Sequence, residues 1–338
     1  MVLTKAPELS RLMTAGVYRV TLPLPGEKPG PVNVYLFIGS DHIALLDTGT
    51  ARGFEILKGA LAEHGLGCED IDLIVLTHSH IDHYGAVGKI LRESRSAIEV
   101  AGNFEKTASI ATGLGVSRKT MSDFLALMGV PSFVRITMRT LSSAFALLGE
   151  KCRVTTRISQ NDLIQMGDYQ LRVIETPGHT IDSVCLYHDQ TGLLFSGDHI
   201  LPHITPNAFV MLEEGQALPT RLSQREFYDS LEKINQLSPE IIYPAHGDPI
   251  TDFDFIRNMY VTSFQERENR IMNILARGDM SVYALARQLF PRLNTARLPL
   301  EIFLAVSEVY THIQVLESSG RVGTRKEAGR LLISRAGV

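Results

Sequence analysis

The hydrophobic pattern along this chain changes period several times, and the changes mark out its elements. Val17–Leu24 and Val32–Ile38 are rich in β-branched and aromatic residues, Gly39-Ser40-Asp41 follows as a turn signal, and Ile43–Leu46 reads as the returning strand. Phe54, Leu57 and Leu61 then fall at helical spacing, and Leu73–Leu76 has the length of a buried strand. Strand, helix, strand is the rhythm of a layered α/β fold. A second set of strands begins near residue 153. Leu171–Glu175 is one strand, and Ser183–His188 and Gly192–Ser196 flank Asp189-Gln190-Thr191 as a hairpin. A helix with the apolar stripe Phe227, Leu231, Ile234 follows. Ser223 is its expected N-cap and Glu226 the reciprocal residue of a capping box. Ile241–Tyr243 is a last short strand.

Between the two halves, Asn103–Lys151 reads as a helical insertion. Met121, Phe124, Leu125 and Met128 form one stripe; Val134, Met138, Leu141, Phe145 and Leu148 form another. Such stripes are either packing faces or the inner wall of a lid, since methionine repacks easily around a ligand. The segment Thr262–Val338 reads as three helices, at about 263–277, 281–290 and 299–319, followed by a hairpin within Arg321–Ser334. That order suggests a small winged-helix domain, so the expected division is residues 1–261 and 262–338.

Composition narrows the function. The chain has 338 residues, and 33 basic against 37 acidic residues leave a net charge of −4. That argues against a protein built to coat nucleic acid. The last segment is locally basic, with 11 basic and 7 acidic residues. Its third helix, however, carries Glu301, Glu308 and Glu317 and no Lys or Arg. A helix that reads a major groove needs positive charge. Arg321, Arg325, Lys326, Arg330 and Arg335 offer at most a modest phosphate-binding wing. Dimerisation or closure of a pocket is the expected role of this segment. Cys68, Cys152 and Cys185 are far apart, with no CxxC spacing, and fit a reducing compartment. No leader-like apolar core lies in the first 30 residues and no run reaches ~18 apolar residues. The cytoplasm is therefore the expected location, with no membrane association.

The chemistry concentrates in Leu76-Thr77-His78-Ser79-His80-Ile81-Asp82-His83. Three histidines and an aspartate packed at a strand-to-helix turn are metal-ligand types, and a strand end sends His78 and His80 to one side. Four ligands from six residues would crowd one ion, so two ions fit better. Further ligands are then required, and His179, Asp198 and His246 each follow a strand or sit in a Gly/Pro turn after one. Imidazole and carboxylate suit zinc first, with iron or manganese as alternatives.

Five motifs stand in order: Asp47-Thr48-Gly49, the HxHxDH run, Thr176-Pro177-Gly178-His179-Thr180, Ser196-Gly197-Asp198 and Tyr243-Pro244-Ala245-His246-Gly247. In these the chain resembles the metallo-β-lactamase-fold hydrolases over about Val17–Ile256. The resemblance implies an αββα sandwich with a binuclear centre at the sheet edges. His78, His80 and His179 would hold one ion and Asp82, His83 and His246 the other, with Asp198 bridging them. Asp47 would support the ligand loops. An aspartate at 198 is similar to glyoxalase II rather than to true β-lactamases, which carry Cys or Ser there. His80 departs from the flavodiiron pattern, Leu201 from the quorum-sensing lactonases, and the 48-residue span from Asp198 to His246 from the long-insertion nucleases. No basic glutathione-binding region of the glyoxalase II kind is found. The group most similar is the glyoxalase II-like hydrolases with a C-terminal winged helix, the β-lactamase-like protein 2 type, some members of which cut single-stranded RNA.

The implied reaction is attack by a bridging hydroxide on an ester, thioester or lactone with an apolar acyl part, with Asp198 and Asp82 as the catalytic carboxylates. The alternative is a metal-dependent endoribonuclease. Thr77, Asp47 and Thr180 are candidate partners that orient the ligands. His199 and His203 are either proton donors or loop histidines, and Tyr84 either lines the pocket or packs. Pro202, Pro206 and Asn207 mark an ordered loop after the bridging residue.

Overall fold

The computed structural model describes residues 10–24, 29–103, 117–137, 149–150, 152–216, 218–291 and 299–336. Strands β1 (Ser10–Thr14), β2 (Val17–Leu22), β3 (Val32–Ile38), β4 (Ile43–Leu46), β5 (Leu73–Leu76), β6 (Glu99–Gly102) and β7 (Thr156–Arg157) form one seven-stranded sheet in chain order. Its first half is antiparallel, and β4 to β7 run parallel. The second sheet has five strands in the order β12-β11-β10-β9-β8. They are β8 (Leu163–Met166), β9 (Tyr169–Glu175), β10 (Val184–His188), β11 (Leu193–Gly197) and β12 (Ile241–Pro244). Only β11 and β12 pair in parallel there.

Alternation builds the layers. On β3, Tyr35 and Phe37 face the second sheet while Val34 and Leu36 face outward; Val75 and Ile74 divide the same way on β5. The inner faces meet in a core with Phe195 at its centre, 5.1 Å from both Tyr35 and Phe37. Helices α1 (Phe54–Glu63), α2 (Ile81–Tyr84) and α3 (Val87–Ser94) lie on the first sheet's side, and Leu57, Leu61, Val87 and Ile90 pack on its outer face. After α4 (Arg118–Leu127) in the insertion, α5 (Ser223–Leu237) and α6 (Phe253–Leu275) cover the second sheet with Phe227, Leu231, Tyr260 and Phe264. Helix, sheet, sheet, helix is the αββα sandwich expected.

The C-terminal unit continues α6 into β13 (Met280–Ser281), α7 (Val282–Leu289), α8 (Pro299–Ser318), β14 (Val322–Glu327) and β15 (Arg330–Arg335). Its small sheet has the order β13-β15-β14. Residues 261 and 262 lie inside α6, so the expected division falls within a continuous helix. Along α8, Val306, Val309, Ile313 and Leu316 are fully buried, and Ser307, Thr311 and His312 are buried on its other side.

Several local expectations change. The first sheet begins earlier, at β1, and β2 ends at Leu22. The capping box is absent: Leu222 is the N-cap, Ser223 is already helical with its hydroxyl buried, and Glu226 pairs with Arg221 at 2.8 Å. Ser117 and Asp252 do cap helices, accepting the amides of Thr120 and Phe255. The insertion's first stripe is core. Phe124, Leu125 and Met128 join Ile271, Leu285, Val306 and Ile313, with Met121 packed against them. Met138, Leu141, Phe145 and Leu148 lie outside the described residues.

Candidate metal centre

Every ligand candidate follows the C-terminal end of a strand. β4, β5, β9, β11 and β12 all point to one edge of the sandwich, because β9 antiparallel to β10 and β10 antiparallel to β11 leave β9 and β11 parallel. Close approach there needs glycine. Gly197 sits at φ +51°, and a Cβ would stand 2.9 Å from the Cβ of Thr77. At Gly178, φ +138°, a Cβ would meet the Phe227 backbone at 2.4 Å.

Two ligand groups result. His78, His80, His179 and Asp198 offer atoms that all lie within 4.8 Å of one another, and Asp82, His83 and His246 do likewise. Asp198 faces both. Its Oδ2 is 3.5 Å from His179 Nε2 and 3.9 Å from His78 Nε2. Its Oδ1 is 3.3 Å from His246 Nε2 and 3.5 Å from His83 Nε2. Asp82 completes the second group, 3.8 Å from His83 and 3.7 Å from His246. Two atoms each ~2.0–2.2 Å from one tetrahedral ion stand about 3.3–3.6 Å apart, so the spacing is that of ligands around two ions. His83 Nε2, His246 Nε2 and Asp198 Oδ1 are buried and have no hydrogen-bond partner among the described residues. Such atoms cost ~1–3 kcal/mol each unless something satisfies them, and a cation does. The residues fit a pair of divalent ions.

Outer contacts fix the rings. His83 Nδ1 donates to Asp47 Oδ2 at 2.7 Å, His78 Nδ1 to the Thr77 hydroxyl at 3.1 Å, His179 Nδ1 to the Asn207 carbonyl at 2.9 Å and His246 Nδ1 to the Pro31 carbonyl at 2.9 Å. Each bond leaves an Nε2 lone pair aimed inward. His80 instead presents Nδ1, 2.9 Å from His78 Nε2 and 3.1 Å from His179 Nε2. Asp47 also accepts from the Thr77 amide and hydroxyl, both at 2.8 Å, and holds φ +61° to do so.

Burial, and then the neighbouring His83 and His80, hold His78 well below the ordinary imidazole range. Burial likewise lowers His80, and lowers His179 to about 4. These rings are neutral and able to ligate. At His83 burial opposes charge, but Asp47, Asp198 and Asp82 outweigh it and raise the ring well above its usual value, so its Nε2 lone pair becomes free for a cation only as the ring gives up a proton on ligation. Burial works against Asp198 too, yet His246 and His83 hold it well below the carboxylate range.

The structure thus gathers His78, His80, Asp82, His83, His179, Asp198 and His246, with Asp47 and Thr77 behind them. The other candidates lie elsewhere. Thr180 bonds Ser183 in its own turn at 2.7 Å. Tyr84 packs in the core beneath α1 and α3. His199 is buried with its ring 4.6 Å from Phe227, and burial lowers it to about 3, so it holds no proton to give near neutrality. His203 is exposed, its Cδ2 3.7 Å from where a Cβ on Gly247 would stand. Met121 and Met128 belong to the C-terminal core. One residue escaped the sequence reading. Phe209 is half-buried, edge-on to His80 at 5.0 Å and to His179 at 5.1 Å. A lone aromatic in a loop carries no pattern that would have found it.

The model of the metallo-beta-lactamase superfamily matches residues 28–108 and 141–246. The chain belongs to that superfamily and is a metallo-hydrolase. It is 29% identical over 314 residues to a Bacillus subtilis (strain 168) protein named probable metallo-hydrolase YqjP, covering 91% of this chain and 94% of the other. A Drosophila melanogaster protein named beta-lactamase-like protein 2 homolog is 25% identical over 306 residues, 88% of this chain and 85% of its own. A Bos taurus protein named acyl-coenzyme A thioesterase MBLAC2 is 26% identical over 180 residues, 51% of this chain and 59% of its own. Among solved structures, the metallo-beta-lactamase family protein TTHA1429 from Thermus thermophilus superposes with TM-score 0.80 at 24% identity, covering 95% of this chain and 99% of that one. Its likeness is one of fold. No helix among the described residues is long and apolar enough to cross a membrane.

Proposed function

We propose that the chain hydrolyses an ester, thioester or lactone with an apolar acyl part, using two divalent ions, zinc first, in the cytoplasm. The observation that carries this is Asp198, whose two oxygens face two separate ligand groups. Held there, a pair of ions supplies Lewis acidity and lowers the pKa of a bound water from about 15.7 towards ~7. The chain's own residues do the rest. Asp198 keeps the two groups in register. Asp82, with its side chain 20% exposed, and His80 are the two ligands that are not fully buried. Thr77 and Asp47 hold His78 and His83 in the tautomers that ligate. Phe209 gives an apolar surface beside His80 and His179, the place that Met121 and Met128 were expected to fill. The aspartate at 198 and a relative named as an acyl-coenzyme A thioesterase support acyl chemistry.

Nuclease action has less support. Helix α8 is buried rather than presented, and Arg321 and Arg325 are engaged by Glu268, Asp279 and Glu327. The test is metal content and turnover on a panel of acyl-coenzyme A thioesters, p-nitrophenyl esters, lactones and single-stranded RNA. Two ions per chain and a preference for longer acyl groups are expected, with both ion binding and turnover lost in Asp198→Ala. A chain that holds two ions, leaves every acyl substrate intact and cuts RNA would reverse the assignment.

A further inference from the structure

The geometry points to Ser307, on α8 of the C-terminal unit, as a positioning residue for the first group of metal ligands. The path is short. Ser307 Oγ accepts the Val210 amide at 2.7 Å, and both residues are buried. The same strap, 207–210, grips His179 twice. The Asn207 carbonyl accepts from His179 Nδ1, and the Phe209 amide donates to the His179 carbonyl at 3.2 Å. Ring and backbone of one ligand are therefore fixed by four residues, and those four are anchored to a helix outside the sandwich.

The rest of the loop is tied in the same direction. Gln314, two turns further along α8, donates from Nε2 to the Pro219 and Arg221 carbonyls, both at 3.2 Å. Thr120 on α4 donates to Glu214 at 2.7 Å and accepts the Gly215 amide at 3.2 Å. Insertion and C-terminal unit share one core, and both hold the loop that orients His179 and carries Phe209. A surface loop with no such anchors would let the imidazole swing. Here the C-terminal unit is part of what builds the metal centre.

The inference rests on the two-ion reading, since His179 must be a ligand. It is tested on the full chain, stripped with chelator and titrated with Co²⁺, following the cobalt absorption bands and the melting temperature. Partners in direct contact with a ligand usually change metal affinity by ~10–100-fold. Ser307 acts one bond further out, so Ser307→Ala is expected to weaken the first ion about 3- to 10-fold and leave the second within about twofold. Ser307→Thr, which keeps the hydroxyl, should restore the first affinity. Thr311→Val is the control: that hydroxyl is equally buried but bonds only its own helix, at the Glu308 carbonyl, and should lower the melting temperature without touching either affinity. If Ser307→Ala binds both ions like wild type, or weakens both alike, the positioning role is wrong and the two-ion reading stands. If wild type takes up fewer than two Co²⁺, both fall together.

Discussion

Replacing Asp47 by asparagine changes one atom and should remove one metal ligand that it never touches. The shape is retained, and asparagine tolerates the φ of +61° found there. The amide oxygen must stay at the Oδ1 position, because the Thr77 backbone amide donates there and has no alternative. The NH2 group then occupies the Oδ2 position, where His83 Nδ1–H now donates at 2.7 Å. Three donors then meet, because the Thr77 hydroxyl donates to the same Oδ2 at 2.8 Å; that hydroxyl can rotate to accept from the NH2 with one lone pair and from His78 with the other, but the His83 ring has no such freedom. The conflict is relieved if His83 moves its proton to Nε2, the atom 3.5 Å from Asp198 and 3.8 Å from Asp82. A protonated Nε2 does not bind metal, and the second group is reduced to Asp82, His246 and one oxygen of Asp198. Loss of a ligand's carboxylate partner costs ~10–100-fold in metal affinity, about 1.4–2.7 kcal/mol. Calorimetric titration of the stripped variant with zinc should show the second ion weakened by that factor and the first within about threefold, since Thr77 still accepts from His78. Equal weakening at both positions, or none, would refute the tautomer reasoning.

Other expectations follow from burial and charge. Met128 is fully buried against the C-terminal core, so Met128→Glu should destabilise the fold by ~3 kcal/mol or more in thermal melts while the KM of the molecules that remain folded is unchanged; a raised KM with an unchanged melt would return this residue to the substrate site. Burial pushes the Cys185 and Cys152 thiols up to about 12, and Cys68 to about 11, which leaves thiolate fractions of ~10⁻³ or less at pH 8. Alkylation by iodoacetamide should therefore be slow in the native chain and rise about tenfold per pH unit from 8 to 10; a thiol that labels quickly at pH 7 would contradict this. Single-stranded RNA should bind weakly and release between about 50 and 200 mM salt, with no cleavage that depends on His78, since Arg321 and Arg325 at the C-terminal hairpin are already paired with acids.

The ligands were legible because their chemistry is carried by side-chain type. A histidine or aspartate at a strand end is rare enough to stand out, and Thr77 and Asp47 sit beside the runs they support. The carbonyls of Asn207 and Pro31 orient His179 and His246 just as firmly, but every residue owns a carbonyl, so no residue type announces them. Apolar stripes told which faces of the insertion and of α8 are buried without telling what buries them. Met121 and Met128 have the composition of a lid and the address of a core, because the partner surface comes from residues far along the chain, such as Ile271 and Leu285. The capping box failed for a local reason: Arg221 offers Glu226 an ion pair in place of the backbone amide. Short edge strands such as β1 and β7 carry too few alternations to declare a period.

Helix α6 has a consequence for how this protein is turned over in a cell. Its first half is roofing for the second sheet through Tyr260 and Phe264, and its second half is core of the C-terminal unit through Ile271 and Leu275. A protease that removes domains one at a time needs an exposed hinge between them, and over Phe253–Leu275 it meets unbroken helix instead. Clipping there requires that both cores open together. Degradation of the folded protein should then be all or nothing, releasing small peptides rather than a stable sandwich freed of its partner.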